Sequence, residues 1–342
     1  IFHKCLNQGS LTTGRSLNLP AEAHTHQKIN SFSSQFYPLL SKTFAEKQSV
    51  KNFSRKTVHQ KKEEQSLPYS GKDLIEHLKS RGAYAQSTCN DFKFKEKDRL
   101  YIGFDPTAEK LHLGNLIGII NALRCAAYGL EPVFVIGGAT GLIGDPSGKS
   151  KERPQMSESM VSQNTDNIAC LVKKVVETII NSPDYQKLLN SLHSSPKTPS
   201  YLIVNNKDFY NNLNIIDFLR NVGTNLRMGQ LLSRDTVKNR LNTDEGLSLT
   251  EFMYQSFQAY DFYRLYTDYD VKLQLGGSDQ WGNMLAGLEL INKLKAEKLK
   301  QDNKCNHNSN SIEKDGVMNM TFPLITTSCG KKLGKSEGNS IS

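Results

Sequence analysis

The chain has six cysteines but no C-x-x-C pair. Cys5, Cys89, Cys125, Cys170, Cys305 and Cys329 stand far apart, so neither a zinc site nor a disulfide framework is indicated, and a reducing compartment is expected. No window approaches the roughly eighteen unbroken apolar residues that a membrane-spanning helix needs, so no such helix and no membrane partner are expected. A P-loop is missing too. Gly148-Lys149-Ser150 has the right ending, but the position where that motif needs its first glycine is Ile143. Acidic residues are scarce in residues 1–62, where Glu22 and Glu46 are the only two. Tryptophan occurs once, as Trp281, and is read as a packing residue.

What is present fits a globular protein. The hydrophobic share of 37% and the charged share of 23% are ordinary, and 342 residues suffice for one large α/β domain or two smaller ones. The net charge of +9 suits a polyanionic partner, but much of the excess sits in the N-terminal leader and says little about the rest. Residues 1–70 are basic and rich in Ser and Asn, and are expected to be largely disordered. This is the composition of an organelle-targeting segment, mitochondrial or plastid-type; the alternative is a solvated tail with no address. His24-x-His26 within it is read as a chance pair, and no metal site is expected.

From about residue 71 helix and strand signals alternate. Residues 73–78 read as an amphipathic helix ending at Gly82, and 113–128 as a helix stopped by Gly129. Residues 99–103, 132–136, 201–204 and 271–275 read as strands, the second apolar without alternation, as in a strand buried on both faces of a parallel sheet. The alternation predicts an α/β fold with a doubly wound parallel sheet and ligands outside the carboxyl ends of its strands. Residues 182–200 and 300–319, rich in Ser, Asn and Lys, are expected to be surface insertions.

Several motifs carry chemistry. Tyr101-Ile102-Gly103-Phe104-Asp105-Pro106-Thr107 runs into His112-Leu113-Gly114-Asn115 at a helix start, where unpaired N–H groups and the helix dipole favour negative charge. Far downstream, Lys332-Leu333-Gly334-Lys335-Ser336 supplies two lysines, so the two turns read as halves of one triphosphate site. Alone, the first would be a helix cap and the second a solvated turn. In Tyr254-x3-Gln258-x2-Asp261, spacings of four and three put a phenol, an amide and a carboxylate on one helix face, which is costly to bury unless it meets a polar ligand. In Gln274-Leu275-Gly276-Gly277-Ser278-Asp279-Gln280, the glycines permit close approach of a nucleoside and Asp279 suits ribose hydroxyls.

Together and in this order, residues 101–115, 137–149, 254–261, 274–283 and 332–336 resemble tyrosyl-tRNA synthetase of the bacterial and organellar type, a class I aminoacyl-tRNA synthetase. The resemblance implies a Rossmann-like sheet with a helical connective insertion, residues 71–342 as the catalytic domain, and about 206–249 as the segment that pairs in a homodimer. It implies that Tyr101 and Asp261 read the hydroxyl of L-tyrosine. Tyr254, Gln258 and Asp145 would hold its ammonium, and Gln280 would lie near its carboxylate. Gly103, Asp105, Thr107, His112, Gly114, Gly277, Asp279 and Lys335 would contact ATP, with Gly114 leaving room for adenine. His112, Asn115, Lys149, Arg153, Lys332 and Lys335 would stabilise charge on the phosphates, and Mg2+ would arrive with ATP. Asn115 stands where the signature usually has a second His, and so supplies a neutral donor in place of a possible cation.

The expected reaction is activation of tyrosine to tyrosyl-adenylate, then transfer to the terminal ribose of tRNA(Tyr). The family's anticodon-binding and S4-like regions would follow the second signature; the chain is therefore expected to be truncated, activating tyrosine but charging tRNA weakly. Three rivals are a tryptophanyl enzyme, a nucleotidyltransferase making a small cofactor, and a non-catalytic RNA-binding scaffold. The tryptophanyl enzyme has no need of the Tyr254, Gln258 and Asp261 set, the nucleotidyltransferase does not call for the Tyr101/Asp261 hydroxyl reader, and the scaffold reading is raised by Asn115.

Overall fold

A computed structural model describes residues 70–95, 97–147, 155–305 and 316–326, all within the unit Glu63–Ser342. The predicted leader, residues 1–70, therefore lies outside the described residues except for Ser70. Its neighbour α1 (Gly71–Ser80) starts at a capping box in which the Ser70 and Asp73 side chains each satisfy the other's backbone N–H. The chain continues through β1 (Gln86–Ser87), β2 (Arg99–Phe104), α2 (Leu113–Ala127), β3 (Glu131–Ile136), α3 (Thr140–Ile143), α4 (Glu158–Ile180), α5 (Pro183–Leu192) and β4 (Leu202–Asn205). After a 3-10 turn (Asn206–Phe209) come α6 (Ile215–Asn221), α7 (Met228–Leu232), α8 (Asp235–Leu241), α9 (Leu249–Tyr269), β5 (Val271–Gly277), α10 (Trp281–Cys305) and β6 (Met318–Phe322). The predicted stop at Gly129 holds: α2 ends at Ala127, and Gly129 takes a φ of 98°, which favours glycine.

The sheet order is β1-β6-β5-β2-β3-β4, with every neighbouring pair parallel except β1 and β6. The chain moves outward from β2 in one direction through β3 and β4, then returns to add β5 and β6 on the other side. This is the expected doubly wound α/β topology, and it puts the switch point, where ligands bind, at the carboxyl ends of β2 and β5. Side-chain alternation builds a core on each face. Leu100, Ile102 and Phe104 of β2 join Ile119 and Leu123 of α2 and Val172 of α4 in one core. Tyr101 faces the other, with Phe262 and Leu265 of α9 and Ala286 and Leu290 of α10.

Both stretches expected to be insertions contribute structure. In 182–200, α5 is capped by Ser182 and buries Tyr185 and Leu189, and the Tyr185 hydroxyl donates to the Leu123 carbonyl at 2.8 Å. In 300–319, α10 runs on to Cys305, and Met318 and Asn319 already belong to β6, whose residues are all buried. Among the described residues, no helix is long and apolar enough to cross a membrane.

Candidate active site

The loops leaving β2, β3 and β5, together with one face of α9, enclose a cavity lined by Tyr101, Gly103, Asp105, Gly114, Asp145, Tyr254, Gln258, Asp261, Gly277 and Gln280. Ten of the predicted site residues thus meet in one place. Tyr254 and Asp261 are 6% and 5% exposed, so the polar face of α9 points inward.

At one end of the cavity Asp261 is held by two donors. The Tyr210 hydroxyl donates to Oδ1 at 2.7 Å, and Asn206 Nδ2 donates to Oδ2 at 2.8 Å. Burial nevertheless pushes the Asp261 carboxyl up to about 7, opposed by the bonds from Asn206 and Tyr210 and assisted slightly by Asp105. The Tyr101 hydroxyl is buried with no protein partner, and its ring leans on Phe262 at 5.3 Å. Burial, with the Asp261 charge nearby, raises the Tyr101 phenol well above its ordinary value, so it remains a donor. A buried donor without a partner beside a buried carboxylate is costly unless a ligand completes the set.

Elsewhere in the cavity lining the Tyr254 hydroxyl donates to Asp105 Oδ2 at 2.7 Å, and Thr140 Oγ1 donates to Asp105 Oδ1 at 2.7 Å. Asn206 Nδ2 also reaches Thr140 Oγ1 at 3.0 Å, so one network joins Asp261 to Asp105. Gly137 sits against it, and a side chain there would overlap the Asp105 carboxylate and the Thr140 hydroxyl. Asp145 follows the turn at Gly144, whose φ is 90°. Its Oδ2 accepts from Gln280 Nε2 at 2.7 Å and its Oδ1 from the Ser147 N–H at 2.9 Å. Gln258 Oε1 is buried without a protein partner. Two carboxylates, a phenol and an unfilled amide acceptor can together receive a cationic group.

Next to Gly114, which lines the cavity, His112 caps α2. Its Nδ1 accepts from the N–H groups of Gly114 and Asn115 at 3.1 and 3.3 Å, and Asn115 Oδ1 accepts from the His112 N–H at 3.0 Å. An accepting Nδ1 places the ring proton of the neutral imidazole on Nε2. Each side chain therefore uses its acceptor in the cap, so that the donor atoms are Nε2 of the neutral His112 ring and Nδ2 of Asn115. The fold also gives a local reason for Gly114: a Cβ there would stand 2.9 Å from the folded-back His112 ring.

Residues 93–342 match the family described as tRNA synthetases class I (W and Y). The chain belongs to this family. It is 38% identical over 271 residues to the tyrosine–tRNA ligase of Protochlamydia amoebophila, covering 79% of this chain and 56% of that one. It is 41% identical over 242 residues to the mitochondrial tyrosine–tRNA ligase of Drosophila melanogaster, covering 71% and 47%. The chain thus spans about half the length of these curated relatives. Among solved structures it is similar to a C-terminally truncated mitochondrial tyrosyl-tRNA synthetase from Aspergillus nidulans, with a TM-score of 0.63, 29% identity, and coverage of 77% of this chain and 72% of that one. The resemblance drawn from the sequence motifs is borne out.

Around this cavity some predicted residues stand apart. Thr107, His112, Asn115 and Asp279 do not line the cavity, whereas Lys149, Arg153, Lys332 and Lys335 lie outside the described residues. Asp105, expected beside ATP, has both carboxylate oxygens engaged by Tyr254 and Thr140. Asn206, Tyr210, Thr140 and Asn283 take part in the networks around Asp261, Asp105 and Asp145 without having been singled out in the sequence. For Asn206 a signal existed: it stands just past the apolar strand β4, at a carboxyl end of the sheet. Among the described residues, no group of three or more His, Cys, Asp or Glu side chains could hold a metal ion.

Proposed function

We propose that the chain activates L-tyrosine with ATP and is the catalytic part of a tyrosine–tRNA ligase. The observation that carries this reading is the polar lining of the cavity, where the partnerless Tyr101 hydroxyl and the buried Asp261 carboxylate lie near each other. A phenol entering there donates to Asp261 and accepts from Tyr101, while phenylalanine or tryptophan would leave both groups buried and unmatched. Tyrosyl-tRNA synthetases are themselves the established example of this effect, strongly rejecting a substrate that lacks the hydroxyl. Asp145, with Tyr254 and Gln258, receives the substrate ammonium, and Gln280, fixed by its bond to Asp145, lies on the carboxylate side.

In the reaction, a tyrosine carboxylate oxygen attacks the α-phosphorus of Mg-ATP. The new O–P bond forms as the bond to the bridging oxygen of the β-phosphate breaks, giving tyrosyl-adenylate and pyrophosphate. A terminal ribose hydroxyl of tRNA(Tyr) then attacks the acyl carbon, and AMP leaves. The protein contributes position and charge: the donors of His112 and Asn115 at the start of α2, and the side chains of Lys149, Arg153, Lys332 and Lys335, favour the charge that develops on the phosphates. Mg2+ enters with ATP as part of the substrate.

The proposed assembly is a homodimer through the 206–249 segment. Seven of the ten exposed large apolar side chains among the described residues fall there, including Ile215 at 62%, Met228 at 58% and Leu249 at 74%. Such exposure is more than a lone surface usually leaves open. The basic leader is proposed to direct the protein to an organelle, in keeping with its composition and with the mitochondrial source of the Drosophila relative.

The activation step is tested by incubating the protein with tyrosine, Mg-ATP and pyrophosphatase and separating bound from free ligand. Tyrosyl-adenylate that stays with the protein, near one equivalent per site, is the expected result. Recovery of intact ATP and free tyrosine alone would contradict the proposal.

A further inference from the structure

We infer that Tyr210, which does not line the cavity, is a positioning residue that sets the specificity of the hydroxyl-reading end by holding Asp261 in one orientation. The inference rests on the tyrosine-activating reading above. Asp261 has two oxygens and two rotational freedoms, and a substrate phenol needs a setting in which an unused lone pair faces the cavity that Asp261 lines. That setting is fixed from outside. The 3-10 turn Asn206–Phe209 delivers a donor from each end: Asn206 Nδ2 to Oδ2 at 2.8 Å, and the hydroxyl of Tyr210, which ends the turn, to Oδ1 at 2.7 Å. Each carboxylate oxygen keeps a second acceptor site, so neither bond blocks a substrate phenol.

Tyr210 is placed for this and little else. Its ring is clamped by Phe257, edge-on at 5.7 Å, and by Tyr260 at 5.4 Å, which leaves the hydroxyl a single direction. The hydroxyl has one proton and two acceptors in reach, Asp261 Oδ1 at 2.7 Å and the Phe257 carbonyl at 3.1 Å. The shorter, charge-assisted bond wins. Without it, Asp261 would keep only the Asn206 donor and would no longer be held in one orientation toward the substrate hydroxyl.

The experiment compares Tyr210→Phe with the unaltered chain in amino-acid-dependent pyrophosphate exchange, using tyrosine and phenylalanine. The ring and its packing remain; only the hydroxyl goes. The expected result is a fall of about tenfold in kcat/KM for tyrosine, the worth of one hydrogen bond, carried by KM. The KM for ATP and the kcat/KM for phenylalanine stay put, so discrimination falls by the same factor. In an Asp261→Asn background the Tyr210→Phe effect should shrink to below about twofold, because the two act as a unit. A purely structural role would lower both amino acids equally and persist in that background, which would overturn the inference, as would unchanged discrimination. If the unaltered chain shows no tyrosine-dependent exchange, the failure belongs to the activating reading on which the inference rests.

Discussion

Asp261→Asn is the sharpest perturbation of the site, because it changes the charge and one acceptor while preserving size. The amide brings an NH2 group to a place where both protein neighbours donate. Asn206 Nδ2 cannot reverse its role, but the Tyr210 hydroxyl can turn to the Phe257 carbonyl at 3.1 Å and accept from the new amide. The variant therefore settles with its oxygen toward Asn206 and its nitrogen toward Tyr210, and the pocket itself suffers little. What is lost is the charge-assisted bond to the substrate hydroxyl, worth about 1.5–3 kcal/mol. At about 1.4 kcal/mol per tenfold, kcat/KM for tyrosine in pyrophosphate exchange should fall roughly 10- to 150-fold. Phenylalanine has no hydroxyl to lose, so its low kcat/KM should move by less than about threefold. Equal losses for both amino acids, with an unchanged melting temperature, would refute the claim that Asp261 reads the phenol.

Four other outcomes are expected. Burial raises the Asp261 carboxyl from 3.8 to about 7, so it is the ionised acceptor above that pH and neutral below it. The KM for tyrosine should rise as pH falls through about 7 and lose that step in Asp261→Asn, whereas a flat profile from pH 6 to 8 would count against it. Gly137→Ala, which drives a methyl group into the Asp105 and Thr140 side chains, should raise the KM for tyrosine and lower the melting temperature; wild-type values for both would show that the network is not tight. Glu251→Ala strands Arg240, whose side chain is 2% exposed and bonded to Glu251 at 2.8 Å, and should cost about 3–5 kcal/mol in denaturant unfolding. Ile215→Glu with Leu219→Glu should convert a dimer into a monomer in light scattering, and a monomeric parent would dispose of the proposed interface.

Much of this architecture was legible because the parallel sheet leaves a strong mark: β3 is apolar at nearly every position, and Gly129 closes α2 where a positive φ is needed. β1 left no mark, being two polar residues paired at the sheet edge. β6 was obscured because Asn319, fully buried, has the composition of a loop. On α9 the site was readable, since Tyr254, Gln258 and Asp261 repeat at helical spacing. Asn206 and Tyr210 were not, because their link to Asp261 spans 55 and 51 residues and no local pattern records it. The His112 motif was read for its donors, yet its cap also uses the acceptors, a division that appears only once the ring is folded back over Gly114.

The central claim, that this cavity selects a phenol for activation by ATP, is tested most directly by exchange of labelled pyrophosphate into ATP with tyrosine, phenylalanine and tryptophan in parallel. The account predicts exchange with tyrosine and at least a hundredfold lower kcat/KM for the other two, about the 2.7 kcal/mol expected when buried hydroxyl-reading groups are left unmatched. Comparable exchange with phenylalanine or tryptophan, or none with any amino acid from a folded protein, would contradict it.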